Sequence, residues 1–335
     1  MDMRTIVAIW LLVIFSSCHS NPVGSGGGFP VKAGPILFIS DRSGTRQLYS
    51  MDEDGSNVQQ LTSDSAFPIL DAKWSPDGSK IAIVSQVGDE TTYPSFRNAI
   101  FVMDADGNNR YQLTPQWFCV DDSVYGKLQY GGATGPVWSP DSKQIMYSRL
   151  VAPETFANQD IFMISVDGTE EQRVTGSMSV GERVADWSPD GRWLLVDMID
   201  WSKADSRIVV SVYSVEGRLQ RQITGEDVTS NGGAWKPDQK YFALTSWSGS
   251  RHEIFRYDSG GGDRTLITTT GRVFNYIACW SPDGKGILVN STDGESSSGM
   301  VWQARIKDLS TGSLRLLSPF GDTSTSVHAM SWRRR

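Results

Sequence analysis

The sequence predicts an all-β protein, a six-bladed β-propeller of four-stranded antiparallel blades, on three observations. A turn motif recurs at Trp74-Ser-Pro-Asp-Gly78, Trp138-Ser-Pro-Asp-Ser142, Trp187-Ser-Pro-Asp-Gly191, Trp235-Lys-Pro-Asp-Gln239 and Trp280-Ser-Pro-Asp-Gly284. Each copy is followed by an apolar run, then by a second tight turn and a closing Leu-Thr-like pair. The unit repeats about every fifty residues, which is blade length, and no stretch carries the pattern of a helical repeat.

Each element has a mechanical reading. The first strand ends at the Trp, Pro presets φ, and Asp-Gly supplies a side-chain bond and the left-handed residue that reverses the chain, so the motif is a hairpin. Ser142 and Gln239 stand where Gly is found in the other copies. Those two turns either hold a non-glycine residue in the left-handed region, at roughly 1 kcal/mol, or use another turn type. Second strands follow at Ile81–Val84, Ile145–Tyr147, Trp193–Val196, Tyr241–Leu244 and Ile287–Val289, apolar on both faces as stacked blades require. Third strands precede a further turn, as in the runs ending at Gly107, Gly168 and Gly217. Fourth strands end at Leu61-Thr62, Leu113-Thr114, Val174-Thr175, Ile223-Thr224, Ile267-Thr268 and Leu317-Ser318.

The ends set the blade count. Ile36–Ile39, Gln47–Met51 and Val58–Leu61 supply strands two to four of a unit with no Trp strand, and Ala329-Met330-Ser331-Trp332 supplies a first strand with nothing after it. Pairing the two closes a ring of six. The repeat tryptophans are then blade packing, and Asp77, Asp141, Asp190, Asp238 and Asp283 are turn residues rather than catalytic carboxylates.

Arg4, the apolar stretch from Ile6 to Phe15 and Ser16-Ser17-Cys18 read as an export signal over residues 1–17. About ten apolar residues are too few for a bilayer span of about twenty. Phe15-Ser16-Ser17-Cys18 resembles the bacterial lipobox, with Phe15 where Leu is usual, and the resemblance implies lipidation at Cys18. Residues 18–35 then form the lipidated Cys and a Gly-rich tether, and residues 36–335 the propeller. By the same resemblance, His19 in place of Asp after the Cys implies outer-membrane sorting. Cys119 and Cys279 remain; an exported compartment allows them to pair, and buried free thiols are the alternative.

A net charge of −7 with both signs interspersed argues against a phosphate-tracking surface, so nucleic acid is not an expected partner. The basic run Arg333, Arg334 and Arg335 reads as a solvated end.

The Trp-Ser-Pro-Asp-Gly turns, Asp-Gly hairpins and Leu-Thr ends over residues 36–335 resemble the propeller repeats of the TolB family, without the α/β domain that precedes that family's propeller. They also resemble the propellers of prolyl oligopeptidase-like peptidases. The sequence has no Gly-x-Ser-x-Gly elbow and no hydrolase domain after the repeats, so hydrolase chemistry is not expected. The TolB resemblance implies a cell-envelope binding protein.

Function is expected on the face that carries the connections from strand two to three and from four to one, because the other face has only short turns. The longest insertion, Pro115 to Pro136, holds Trp117, Phe118, Asp121, Asp122, Tyr125 and Tyr130. Tyr93, Phe96, Phe156, Trp201, Trp247, His252, Phe274 and Tyr276 fall on the same face. Exposed aromatics anchor protein interfaces and stack on sugars; the alternative is that they pack their own loops or plug the channel mouth. Three histidines in all, His19 in the tether and His252 and His328 beyond it, leave no His-rich metal centre. No cofactor is expected. A carboxylate Ca²⁺ site at Asp71 and Asp186 is weighed against solvated or turn-bonding aspartates. The expectation is a monomeric, non-catalytic envelope lipoprotein, held to the membrane by its lipid alone, whose loop face binds an envelope protein. A carbohydrate-binding or carbohydrate-active propeller and a Ca²⁺-dependent lactonase-like enzyme are the alternatives.

Overall fold

A computed structural model describes residues 33–87, 98–114, 132–151, 159–177, 179–200, 207–225, 230–247, 251–260, 264–268, 274–296, 299–317, 319 and 326–333. Blade 1 begins with β1 (Ile36–Ser40), β2 (Gln47–Met51) and β3 (Gln59–Gln60). Blade 2 is β4 (Ile69–Trp74), β5 (Lys80–Gln86), β6 (Asn98–Asp104) and β7 (Tyr111–Gln112); blade 3 is β8 (Ala133–Trp138), β9 (Gln144–Leu150), β10 (Gln159–Ser165) and β11 (Gln172–Arg173). Blade 4 is β12 (Val180–Trp187), β13 (Trp193–Asp200), β14 (Ile208–Ser214) and β15 (Leu219–Gln222). Blade 5 is β16 (Ser230–Trp235), β17 (Tyr241–Trp247), β18 (His252–Asp258) and β19 (Arg264–Leu266), and blade 6 is β20 (Asn275–Trp280), β21 (Gly286–Ser296), β22 (Gly299–Asp308) and β23 (Leu314–Leu317). The last strand, β24 (Val327–Trp332), pairs antiparallel with β1 and completes blade 1 in the order β24-β1-β2-β3. The inner strands touch in the cycle β24, β4, β8, β12, β16, β20 and back to β24, so the ring of six blades is closed.

The repeated residues have repeated bonds. In four turns the Ser hydroxyl (Ser75, Ser139, Ser188, Ser281) donates to the turn Asp at 2.6 Å. The same oxygen accepts the backbone N–H five residues on at 2.8–2.9 Å. In blade 5 Lys236 takes the serine's place and pairs with Asp238. Ser142 and Gln239 do hold the left-handed position, at φ 63° and 61°, with the same turn bond as the glycines of the other copies. The geometry is therefore kept and the strain is borne. The Leu-Thr ends have a purpose of their own. The hydroxyls of Thr62, Thr114, Thr175, Thr224 and Thr268 each accept the N–H of a third-strand residue fourteen positions earlier, at 2.9–3.0 Å.

The core lies between blades rather than within one sheet. Successive side chains of a strand point to opposite faces; thus Ile81 and Ile83 of β5 pack with Leu37, Ile39 and Leu48 of blade 1, while Ala82 and Val84 pack with Trp138, Ile145 and Tyr147 of blade 3. The repeat tryptophans are buried at 5–6% exposure. Three reach back one blade, their indole N–H groups donating to Pro35 O, Lys73 O and Ala234 O at 2.9–3.1 Å. Arg333 departs from the solvated end expected of it. Its guanidinium lies 4.9 Å from the Trp74 ring and donates to Ala33 O, and its N–H donates to Pro35 O. A cation over a buried indole, with bonds to the N-terminal segment, fastens the closing strand.

Every inner strand bulges against its neighbour, at Leu70, Gly135-Pro136, Ala185, Gly232, Ala278 and Met330. A bulge leaves ladder groups unpaired. In four blades the amide at or beside the bulge is taken by a second-strand side chain of the preceding blade. Ser148 accepts Val184 N, Asp197 accepts Gly232 N with both carboxylate oxygens, Thr245 accepts Ile277 N, and Asn290 accepts Ala329 N while donating to Ala329 O. Asn290 acts at the closure, with both bonds at 2.8 Å. Asn290→Ala leaves both backbone groups of Ala329 unpaired and is expected to lower stability by about 2 kcal/mol in urea unfolding. Deleting residues 327–335 is expected to abolish the single cooperative transition.

Candidate functional site

The two faces of the ring differ in kind. One carries the hairpins, whose polar groups are bonded internally. The other carries the remaining connections, and here Trp247, His252, Phe274 and Tyr276 come together. Trp247 closes β17 and pairs in register with His252 at the start of β18. Phe274 precedes β20 and Tyr276 lies in it. Ring centroids are 4.8 Å apart for Trp247 and His252, 5.4 Å for His252 and Phe274, 5.0 Å for His252 and Tyr276, and 6.4 Å for Phe274 and Tyr276.

Two further rings extend the row. Trp302 of β22 lies 5.6 Å from Tyr276 and 6.3 Å from Phe274, and His328 of β24 lies 5.4 Å from Trp302. The result is a continuous aromatic arc of six rings across blades 5, 6 and 1. Trp247 is 38% exposed at one end, Trp302 is buried, and the other four rings are partly buried. Sequence reasoning left Trp302 out and treated the two histidines as isolated. One alignment does find His328: counted back from the repeat Trp, His328 stands four residues before Trp332 as Tyr276 stands four before Trp280.

The arc is polar at its edges yet uncharged. Burial pushes both imidazoles down to about 4, and the Arg46 cation adds to this at His328. Burial also pushes the Tyr276 phenol up, so it stays protonated. Among the described residues, no hydrogen bond engages the side-chain polar atoms of Trp247, His252, Tyr276, Trp302 or His328. Glu253, next to His252, is buried and committed elsewhere as the acceptor of the Thr268 hydroxyl.

A separate polar cluster fills the space between blades 3 and 4. Tyr213 donates to Glu182 at 2.8 Å, and Arg173 pairs with Asp160, whose carboxyl burial pushes up. Asp186 uses one carboxylate oxygen for Trp187 N and the other for Trp235 N, tying blade 4 to blade 5. Asp71 accepts Ala72 N. Among the described residues no three His, Cys, Asp or Glu side chains gather as a metal site. Cys279 is half-buried in β20 against blade 1. Tyr93, Phe96, Trp117, Phe118, Cys119, Asp121, Asp122, Tyr125, Tyr130, Phe156, Trp201 and Cys18 lie outside the described residues.

The histidines make stability depend on pH with a definite sign. Their folded pKa of about 4 lies below the ordinary 6.5, so the unfolded chain takes up protons first on acidification. Their contribution is complete above about pH 6.5 and is lost as pH falls toward 4. Thermal melts across that range are expected to show a falling midpoint, with a shallower fall in the His252→Phe, His328→Phe double variant.

The family model of the TolB beta propeller domain matches residues 135–329. A protein TolB homolog of Chlorobaculum tepidum is 26% identical over 140 residues, 42% of this chain and 26% of its own. A Tol-Pal system protein TolB of Hahella chejuensis is 36% identical over 83 residues, 24% of this chain and 17% of its own. The matched part of the chain thus spans about a quarter or less of the length of these curated relatives. The crystal structure of TolB from Acinetobacter baumannii superposes with a TM-score of 0.62 at 19% identity, covering 88% of this chain and 66% of that one, a likeness of fold. The family model covers more than half of the sequence and spans four of the five turn motifs, and on that match the chain belongs to the TolB β-propeller domain family.

Proposed function

We propose that this chain is a non-catalytic recognition module of the cell envelope, whose loop face docks a protein partner. The observation that carries this reading is the asymmetry of the ring. The hairpin face has its turn carboxylates and hydroxyls bonded within each turn, as where the Ser139 hydroxyl and the Lys143 amide hold the Asp141 carboxyl below the usual range. The loop face carries the long connections and the aromatic residues, and it is the face left with groups to offer. Relatives named as Tol-Pal system proteins support the envelope setting. The lipobox-like Phe15-Ser16-Ser17-Cys18 supports a lipid anchor at Cys18, with the Gly-rich segment behind it as the tether.

The test is cross-linking and affinity capture from the solubilised envelope of the source organism, comparing the unaltered protein with a Trp117→Ala, Phe118→Ala, Trp201→Ala variant. A protein captured by the unaltered chain alone is the expected result. Equal capture by both, or by neither, would sink the reading.

A further inference from the structure

The aromatic arc has a chemistry of its own, independent of the protein docking proposed above. Its six rings, Trp247, His252, Phe274, Tyr276, Trp302 and His328, run in unbroken contact at 4.8–6.4 Å from blade 5 through blade 6 to blade 1. Self-packing accounts for the ring faces but not for the edges. Five of the six residues carry hydrogen-bonding side-chain atoms, and no described residue bonds to them. Elsewhere in the fold such groups are committed in part: Trp74, Trp138 and Trp280 donate their indole N–H, and Tyr111, Tyr147 and Tyr213 their hydroxyl, whereas the indole N–H groups of Trp187, Trp235 and Trp332 are buried without a partner among the described residues.

Charge narrows the ligand class. The arc contains no carboxylate to pair with a cation, and the nearest acid in sequence, Glu253, is bonded to Thr268. Of the cations beside the arc, Arg46 is desolvated and faces Asp41 as well as His328, and Arg251, exposed and next to His252 in sequence, has an interaction of its own. What remains is a surface of aromatic faces rimmed by neutral groups: indole and phenol donors, and imidazoles that both donate and accept. A saccharide ring is the complementary object, with C–H faces to lie on aromatic rings and hydroxyls that donate and accept at its rim. We propose that the arc is a subsite for a neutral saccharide, with the exposed Trp247 as its outer platform and His252 and Tyr276 as hydroxyl partners.

The full chain would be titrated with chitotetraose, cellotetraose and maltotetraose, following tryptophan fluorescence and heat. Oligogalacturonate of the same length serves as the charged contrast. At least one neutral tetrasaccharide is expected to bind with a Kd of roughly 0.1–1 mM, more tightly than the charged one. Binding should be unchanged between pH 6 and 8, where the imidazoles stay neutral. Trp247→Ala should weaken it by roughly tenfold and Tyr276→Phe by a smaller factor, about 1.4 kcal/mol being one decade. The tyrosine variant removes one hydroxyl and keeps the ring, so an unchanged melting curve separates lost contact from lost fold. Absence of binding by all three neutral sugars at about 10 mM, or equal binding by both variants, would overturn the proposal. Loss of protein capture in Trp247→Ala with no saccharide bound would assign the arc to the docking surface instead, overturning this inference and leaving the protein-docking reading in place.

Discussion

The fold depends on how the inner strands bend. A strand that lines a channel and stacks on two neighbours cannot keep a full ladder with its own second strand, and all six inner strands bulge. A buried or half-buried amide released there costs up to about 1–3 kcal/mol in lost stability if nothing accepts it. The ring solves this laterally: Ser148, Asp197, Thr245 and Asn290 reach from one blade to the bulge of the next. A blade of this protein is therefore not a self-sufficient sheet, because part of its backbone is completed by its neighbour.

That lateral dependence also makes the loop face a rigid support. Tyr276 and His328 project from strands held by these bonds, in the same position of two consecutive blades. Thr245, which accepts Ile277 N, and Asn290, which clasps Ala329, each act on the residue next to an arc ring. The arc is thus positioned by the devices that close the ring, and its rings need little help from loops to stay in register.

The parts of this architecture that repeat as residue types were legible in the sequence. Trp-Ser-Pro-Asp turns and Leu-Thr ends repeat letter by letter because each makes one bond of one geometry: the Ser hydroxyl to the Asp, and the Thr hydroxyl to an amide fourteen residues back. The bulge acceptors repeat in position only, as Ser, Asp, Thr and Asn, since any short side chain with an oxygen will serve, and so they went unread. Trp302 was hidden for a different reason. It lies within a long apolar-looking strand, and only its register, opposite Thr292 at the loop-face end of β22, marks it as anything but core. Trp247, His252, Phe274 and Tyr276 were legible as loop-face aromatics; that they touch one another was not, because the contacts cross two blades.

The pairing of β24 with β1 also has a temporal side. Arg333 and Ala33, which bond across the closure, are 300 residues apart in the chain. Synthesis delivers Ile36–Ser40 first and the strand that covers it last, so throughout elongation β1 is a bare edge with unsatisfied N–H and C=O groups. The entropy of so long a loop falls on the final step, and native pairings of this span slow folding. Without β24 the ring is open: five complete blades and the three-stranded sheet β1-β2-β3, with β1 as its unpaired edge. An unpaired strand edge of this kind is a site where a second copy can pair, and the closing strand removes it.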